Sequence, residues 1–456
     1  MKKIIMKMNI GLLLTIGLVN GQSAYDAIHI TENEEGFGTR ALAMGGAYTA
    51  VADDYSGIYW NPAGLGSITK TGIHAELSHL QFSNDAIYMG NLTANNQGFT
   101  KLKSLGFVMP LPTSQGSFVI AGGYNKILDY DDHLYFEGFG DVSNDIGFEI
   151  EDENGDSYFY PFDQGVYRQE EVRSEGGLNQ WSFGGALALS PNFTIGLTTS
   201  LVHGKEEYNL GFSQFDDDDL YNVYPGDFYE YSVNQYLLSD YYSFNLKLGG
   251  MVDLNKMIKV GGVITLPSKY YVEETHSFSD DLVFDDGTND PTEDTGNWEY
   301  TVKTPFIFDA GIAFTNKLIT LSAATRYRDW SQTRFEGSDY ELHNQDYRNM
   351  VTENNALARD YDQVLEYRLG GEVLLPGLNA KLRAGYIRVP SPLRDINDDR
   401  ITYSAGVSFK VDNNVSLDFT CLKSDWTRES WDIYTPAGVK ESITAHKVLI
   451  GLTYNL

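Results

Sequence analysis

The feature that most constrains the fold is a period-two alternation of apolar and polar residues, repeated in strand-length segments from about residue 178 onward. In one segment Phe244, Leu246 and Leu248 alternate with Asn245 and Lys247. Successive side chains of a β-strand point to opposite faces, so each segment predicts a strand with one apolar face. Very short turns rich in Pro, Asn, Asp and Gly join the segments in pairs. The predicted turns are 190–192, 255–256, 315–317, 376–377 and 412–414.

The lengths of the connections decide which face meets water. A soluble sandwich buries its apolar face, whereas a membrane barrel turns it outward to lipid and keeps the polar face inside. Here short turns alternate with long connections, and a sandwich has no reason to sort its loops in this way. Short periplasmic turns and longer extracellular loops are typical of outer-membrane barrels. The predicted long loops are 128–177, 211–239, 276–298 and 336–362.

We therefore predict an all-β fold, a transmembrane antiparallel β-barrel of about 14 strands in the outer membrane of a Gram-negative bacterium. An even number of strands returns both termini to the periplasm. The mean hydropathy of -0.31 is compatible with this fold, because alternating strands average to a low value. Cys421, the one cysteine, lies in a strand pattern and is predicted to face lipid. Further strands are predicted near 72–82, 103–111, 116–127 and 447–456.

The first residues predict export. Three lysines within residues 1–7 precede a ten-residue apolar run, 10–19, which is too short to span a bilayer as a helix. This pattern predicts a signal peptide over residues 1–21. An amphipathic first helix is the alternative, but no polar face interrupts the apolar run.

The charge is strongly acidic and concentrated in the long loops. A formal net charge of -30 argues against binding to nucleic acid, which requires an excess of Lys and Arg. The simplest interpretation is a solvated, repulsive outer surface. Calcium is the alternative: Asp152, Asn154 and Asp156 have part of the EF-hand spacing, although Ser157 stands where that loop requires glycine.

The segment before the first strand is rich in Gly and Ala and does not alternate. Gly45 and Gly46 break any continuous helix, and Asn61 with Pro62 starts a turn. A barrel of fourteen strands is too wide for its own side chains to fill. This segment is therefore the candidate to plug it.

The runs 43–47 (AMGGA), 52–54 (ADD) and 61–65 (NPAGL) resemble the N-terminal signature of the FadL-type outer-membrane transporters of long-chain fatty acids and aromatic hydrocarbons. The resemblance implies that residues 22–70 form a hatch inside a barrel of residues 71–456. It implies passive, ligand-gated diffusion of a hydrophobic small molecule, with sideways passage into outer-membrane lipid near a kinked third strand. The long acidic loops depart from the family pattern.

The hatch and gating candidates also have a structural alternative, in which they fix the conformation of the hatch and its close packing against the wall. These candidates are Gly45, Gly46, Asp53, Asp54, Asn61, Pro62, Ala63 and Gly64.

Strand parity places a set of charged residues on the lumen face. An Arg or Lys there would suit a ligand carboxylate, although a lumen charge network is the simpler interpretation. The set is Arg326, Arg328, Glu366, Arg368, Glu372 and Arg383.

The sequence carries no Gly-x-Ser-x-Gly elbow and no His-Glu-x-x-His motif, and we predict neither catalysis nor a cofactor. His74 and His79 are five residues apart, so on a strand they face opposite sides. Two functions stay open: transport of a hydrophobic compound such as a long-chain fatty acid, or a barrel that serves as a secretion or surface-attachment partner through its acidic loops.

Overall fold

The computed structural model describes residues 23–151, 157–222, 227–337, 345–394, 396 and 399–456. The predicted signal peptide lies outside these residues. No described helix is long and apolar enough to cross a membrane. The strands are β1 (Gly72–Tyr88), β2 (Asn91–Leu111), β3 (Phe118–Leu128), β4 (Asp132–Gly140), β5 (Gly147–Glu151), β6 (Ser157–Pro161), β7 (Val166–Ser190), β8 (Phe193–Phe215), β9 (Phe228–Asp253), β10 (Ile258–Thr265), β11 (Lys269–Phe284), β12 (Asn289–Lys303), β13 (Ile307–Thr315), β14 (Ile319–Asp329), β15 (Arg334–Glu336), β16 (Gln363–Leu375), β17 (Ala380–Val389), β18 (Arg400–Lys410), β19 (Val415–Ser430) and β20 (Val439–Asn455). The helices are α1 (Ala24–His29), α2 (Thr39–Ala43), α3 (Gly57–Trp60) and α4 (Gln345–Asp360), with 3₁₀ helices at Pro62–Ser67 and Trp330–Gln332.

The strands form a closed antiparallel barrel. Neighbours in the chain pair around the ring, and β20 pairs with β1 to close it. Four of the barrel strands are each divided into two segments, and each such pair of segments counts as one strand. The pairs are β3 with β4, β10 with β11, β12 with β13, and β14 with β15. The total is fourteen, which confirms the predicted fold.

The outer face of the barrel is apolar, as the strand parity predicted. On β9, Leu248 is 46 % exposed to the outside, whereas the neighbouring Lys247 is only 8 % exposed and points inward. Cys421 is exposed on the outer face. A belt of exposed apolar side chains around a closed barrel is suited to lipid.

The loops of the structure are shorter than predicted, because the strands continue beyond the apolar belt. Strand β8 runs to Phe215 and β9 begins at Phe228, so the prediction of a loop over 211–239 was wrong at both ends. The predicted loop 276–298 is mostly the β11–β12 hairpin. Beyond the apolar belt several inward side chains of β8, β9 and β11 are apolar, so the division into an apolar outer face and a polar inner face, by which the strands were predicted, does not continue there.

Residues 23–70, which we call the hatch segment, lie inside the barrel. Wall side chains from several directions donate hydrogen bonds to the backbone carbonyls of this segment. The pairs are Thr198 with Ile58 (2.8 Å), Lys247 with Tyr59 (2.7 Å), Ser404 with Ala43 (3.0 Å) and Thr420 with Thr39 (2.8 Å).

Candidate functional site

The two adjacent glycines of the hatch segment lie against the backbone of the wall. Gly45 and Gly46 follow α2 with φ angles of +61° and +63°, a region that favours glycine. A Cβ atom at Gly45 would stand 2.7 Å from the backbone nitrogen of Tyr386 and 2.8 Å from the carbonyl oxygen of Leu369. Gly45 and Gly46 therefore allow the main chain of the hatch segment to contact the wall closely. This is the structural alternative that the sequence analysis gave for these two residues.

The NPAG run fixes the shape of the hatch segment. The Asn61 side-chain amide donates to the carbonyl oxygens of Thr49 (2.7 Å) and Gly250 (3.2 Å), and its oxygen accepts from the N–H of Ala63 (3.1 Å). Pro62 begins the 3₁₀ helix, and Gly64 lies against the carbonyl of Ala52. Asn61, Pro62, Ala63 and Gly64 are all buried.

Asp53 and Asp54 surround a hatch arginine that the sequence reading did not single out. Arg40 contacts Asp53, and its Nε donates to Glu372 of β16 (2.8 Å). Asp54 accepts from the hydroxyl of Tyr48 (2.6 Å). Arg40, Asp53 and Asp54 line a cavity of about 460 Å³, which is bounded on the wall side by strand ends next to the short turns.

The predicted lumen charges all point inward, and each takes part in at least one ion pair. Arg326 pairs with Asp309 (2.8 Å) and Arg328 with Glu34 of the hatch segment (3.5 Å). The other contacts are Arg368 with Glu366, and Arg383 with both Glu372 and Asp418. Several partners belong to the hatch segment or to other strands, as in the contact of Glu372 with Arg40, and a single lumen charge network stays a prediction.

A further ion cluster, here called the kink cluster, joins the hatch segment to the bend between β3 and β4. Lys447 Nζ lies 2.7 Å from a Glu35 carboxylate oxygen and 2.8 Å from one of Asp129. The backbone N–H groups of Glu35 and Gly36 both donate to the carbonyl of Ile127 (3.1 Å each). The members are Lys101, Lys103, Lys126, Lys447, Asp129, Asp131 and Glu35.

Burial alone would raise the pKa of Glu35, but the Lys447 and Lys103 ammonium groups outweigh it and hold that pKa below its usual value. Lys103 is fully buried, and its Nζ, 3.7 Å from Glu35, makes no hydrogen bond within the described chain. The sequence reading missed the kink cluster because Glu35 lies before the recognised motif and Asp129 follows the predicted strand.

The wall is discontinuous beside the third strand. Strand β2 pairs with β3 only over Ser104–Leu111, and its other edge pairs with β1 along nearly its whole length. The chain then bends and continues as β4, which pairs with β7. No backbone pairing joins β2 to β4; side-chain amides bridge them, from Asn91 to the carbonyl of Glu137 (2.7 Å) and from Asn95 to that of Tyr135 (3.0 Å).

A buried apolar cluster lies inside the barrel at the extracellular end. Inward side chains of β7, β8, β9 and β11 form a buried cluster with residues of the connecting loops. This mouth cluster includes Phe162, Phe212, Phe228, Tyr231, Phe278 and Tyr434.

The calcium candidates Asp152, Asn154 and Asp156 lie outside the described residues. Among the described residues, no group of three or more His, Cys, Asp or Glu side chains is arranged to hold a metal ion. Calcium binding is therefore not supported. His74 points inward to Glu76 (2.9 Å), whereas His79 is exposed, as the strand parity predicted.

No protein-family model and no curated protein matches this sequence. Solved structures do match over nearly the whole chain. The P. putida toluene transporter TodX is 13% identical with a TM-score of 0.60, covering 93% of this chain and 99% of its own. The Ralstonia pickettii toluene transporter TbuX is 17% identical with a TM-score of 0.53, covering 93% and 100%. A Pseudomonas aeruginosa FadL homologue is 12% identical with a TM-score of 0.55, covering 93% and 98%. The chain thus has the fold of these solved structures.

Proposed function

We propose that this chain is an outer-membrane channel that admits hydrophobic compounds, such as long-chain fatty acids, by passive, ligand-gated diffusion. The observation that carries the proposal is the missing backbone ladder between β2 and β4, beside a charge cluster shared by the hatch segment and the bend. The fold is that of structures described as toluene transporters and as a FadL homologue.

A sideways route suits the chemistry of such a ligand. Transfer of apolar surface into water costs roughly 25 cal/mol per Å², so an apolar molecule gains by passing from a protein interior directly into lipid. The aromatic mouth cluster offers apolar contact at the extracellular end. The hatch segment occupies the direct path to the periplasm.

The kink cluster supports an anionic head group on the ligand. Lys103 lacks a hydrogen-bond acceptor among the described residues, and it sits with three other lysines that are only partly matched by three carboxylates. A carboxylate can accept charge-assisted hydrogen bonds from such groups. This favours a fatty acid over a neutral aromatic hydrocarbon.

The experiment measures uptake of labelled oleate and labelled toluene by cells that lack their own transporter. In a Cys421→Ala background, cysteines replacing Asn95 and Tyr135 should close the opening when oxidised, and reduction should restore uptake. Uptake that is unaffected by a completed cross-link would contradict the sideways route.

Lys103→Met tests the head group, with Lys205→Met as control because Lys205 is exposed and forms an ion pair with Glu207 on the same strand. We expect Lys103→Met to reduce oleate uptake and to spare toluene. Equal loss of both compounds would contradict a carboxylate role. Attachment of cells without uptake of either compound would favour the surface-attachment alternative.

A further inference from the structure

The loop between β19 and β20, residues 431–438, crosses the extracellular mouth of the barrel; we call it the strap. The hydroxyl of its Tyr434 accepts a hydrogen bond from Nε2 of Gln235 on β9 (3.0 Å). In the fourteen-strand ring, β20 is the last strand and β9 the sixth, so these elements lie nearly opposite one another. The strap therefore spans the interior and does not fold back over its own strands.

Tyr434 is seated among wall residues and only 3 % exposed. Its ring stacks on Phe212 of β8, with ring centroids 4.9 Å apart. Its carbonyl accepts from the side-chain amide of Asn144 (2.8 Å). A carboxylate oxygen of Asp432 accepts from the N–H groups of Tyr434 (2.9 Å) and Thr435 (2.7 Å), which holds the turn that directs the ring inward.

A second layer of hydrogen bonds supports this seat. The side-chain oxygen of Gln214 accepts from Asn144 (3.1 Å) and from Nε of Arg168 (2.9 Å). Arg168, which is fully buried, also donates to the carbonyls of Val142 (2.9 Å) and Asp163 (2.5 Å). Three residues of the connection between β4 and β7, Val142, Asn144 and Asp163, are thereby held next to the wall and Tyr434.

We propose that the strap is a lid over the extracellular mouth and that Tyr434 is the residue that closes it. The strap's contacts across the mouth centre on Tyr434, which makes one aromatic stack and two hydrogen bonds through its side chain and carbonyl; Ile433 packs beside it against the mouth cluster. The ring occupies a place in the mouth cluster that another aromatic or alkyl group fits equally well. A hydrophobic ligand opens the lid by replacing the ring on Phe212. The identity of the opening ligand rests on the proposed function; the lid itself does not.

The test measures entry of a membrane-impermeant thiol reagent into the interior. Ser239→Cys in the Cys421→Ala background places a thiol on the inward face of β9, where the Ser239 side chain is buried. With the folded protein in lipid nanodiscs, Tyr434→Ala should accelerate modification about ten-fold, because it removes the stack and a modest hydrogen bond. Tyr434→Phe, which keeps the ring, should give a smaller increase.

Trp431→Ala is the matched control, because Trp431 belongs to the strap but is 70 % exposed. It should leave the rate unchanged, and unchanged electrophoretic heat-modifiability should confirm that every variant is folded. Equal rates in Tyr434→Ala and Trp431→Ala would overturn the lid.

Oleate and toluene, added separately, should accelerate modification of the parent protein. Suppose that Tyr434→Ala accelerates modification, but that neither oleate nor toluene accelerates it or is taken up by cells. That result would support the lid and contradict the proposed function. Uptake of either compound with equal rates in all variants would support the function and overturn the lid.

Discussion

The hatch segment and the strap both lie across the interior of one barrel, but different kinds of contact hold them. The hatch segment meets the wall main chain to main chain, at glycines such as Gly45 and Gly385, and through ion pairs such as Arg40 with Glu372. The strap meets the wall mainly through the ring, hydroxyl and carbonyl of Tyr434, with Ile433 and Ala437 packed against buried apolar side chains. Backbone packing that requires glycine has no ready substitute, whereas an aromatic contact can be replaced by a ligand. The comparison predicts that the hatch segment closes the periplasmic side of the barrel permanently, and that the strap closes the extracellular side until a ligand displaces Tyr434.

The largest effect should come from deletion of residues 36–66. The strand ladder does not depend on the hatch segment, so the barrel should still close, with a water-filled lumen. Conductance in planar bilayers should rise to the level of a general porin, and uptake should lose selectivity. Shortening the strap by deletion of 432–437 should change conductance far less, and a comparable rise in both deletions would remove the distinction between the two closures.

Gly45→Val should displace the hatch segment. The positive φ alone costs about 1–3 kcal/mol for a residue with a side chain, and the added Cβ would overlap the backbone at Tyr386. Gly371→Val is the control, because a Cβ there meets first the end of the Leu321 side chain, at 3.4 Å. The measurement is the urea concentration at which protease begins to cut the hatch segment. We expect it to be lower in Gly45→Val than in Gly371→Val, and equal values would contradict close backbone packing at Gly45.

On β9, adjacent residues report on the two sides of the wall. Leu248→Arg should destabilise the inserted barrel by about 2–4 kcal/mol, because arginine then faces the middle of the membrane. Lys247→Arg should be milder but not silent, because Lys247 donates to the carbonyl of Tyr59 and lies 4.1 Å from the centre of its ring. Unfolding in lipid vesicles measures both, and a larger effect at Lys247 would contradict the strand parity.

The smallest effect concerns pH at α1. Burial would lower the pKa of His29, but the Glu206 carboxylate, 3.0 Å away, outweighs it and raises that pKa to about 9. The protonated form is therefore the stabilised one; its contribution is fully present below the ordinary pKa of 6.5 and is lost as pH rises through about 9. Amide protection over residues 24–31, corrected for intrinsic exchange, should fall between pH 7 and 10. His29→Gln should remove this dependence, and an equal pH response in that variant would exclude His29 as its source.

The sequence alone determined the parts of the structure that local patterns report. Alternation at Leu248 and Lys247 fixed which face meets lipid, and turns such as 412–414 marked the strand ends on one side of the membrane. The bilayer imposes this pattern on every strand, because an outward side chain must be apolar whatever its neighbours are. The position of the hatch segment was predicted from its Gly- and Ala-rich composition, from the width of the barrel and from its resemblance to a known family, and not from periodicity.

Only the tertiary structure decided which interior groups meet. Glu35 and Lys447 are 412 positions apart in the chain, and Gln235 and Tyr434 are 199 apart, yet both pairs are in contact. The lumen does not require one type of side chain at every inward position, because an inward charge can pair with a neighbouring strand, with the hatch segment or with a residue across the interior. The kink cluster and the strap therefore depend on how the barrel closes and how the chain bends after Leu128, and no local pattern records either.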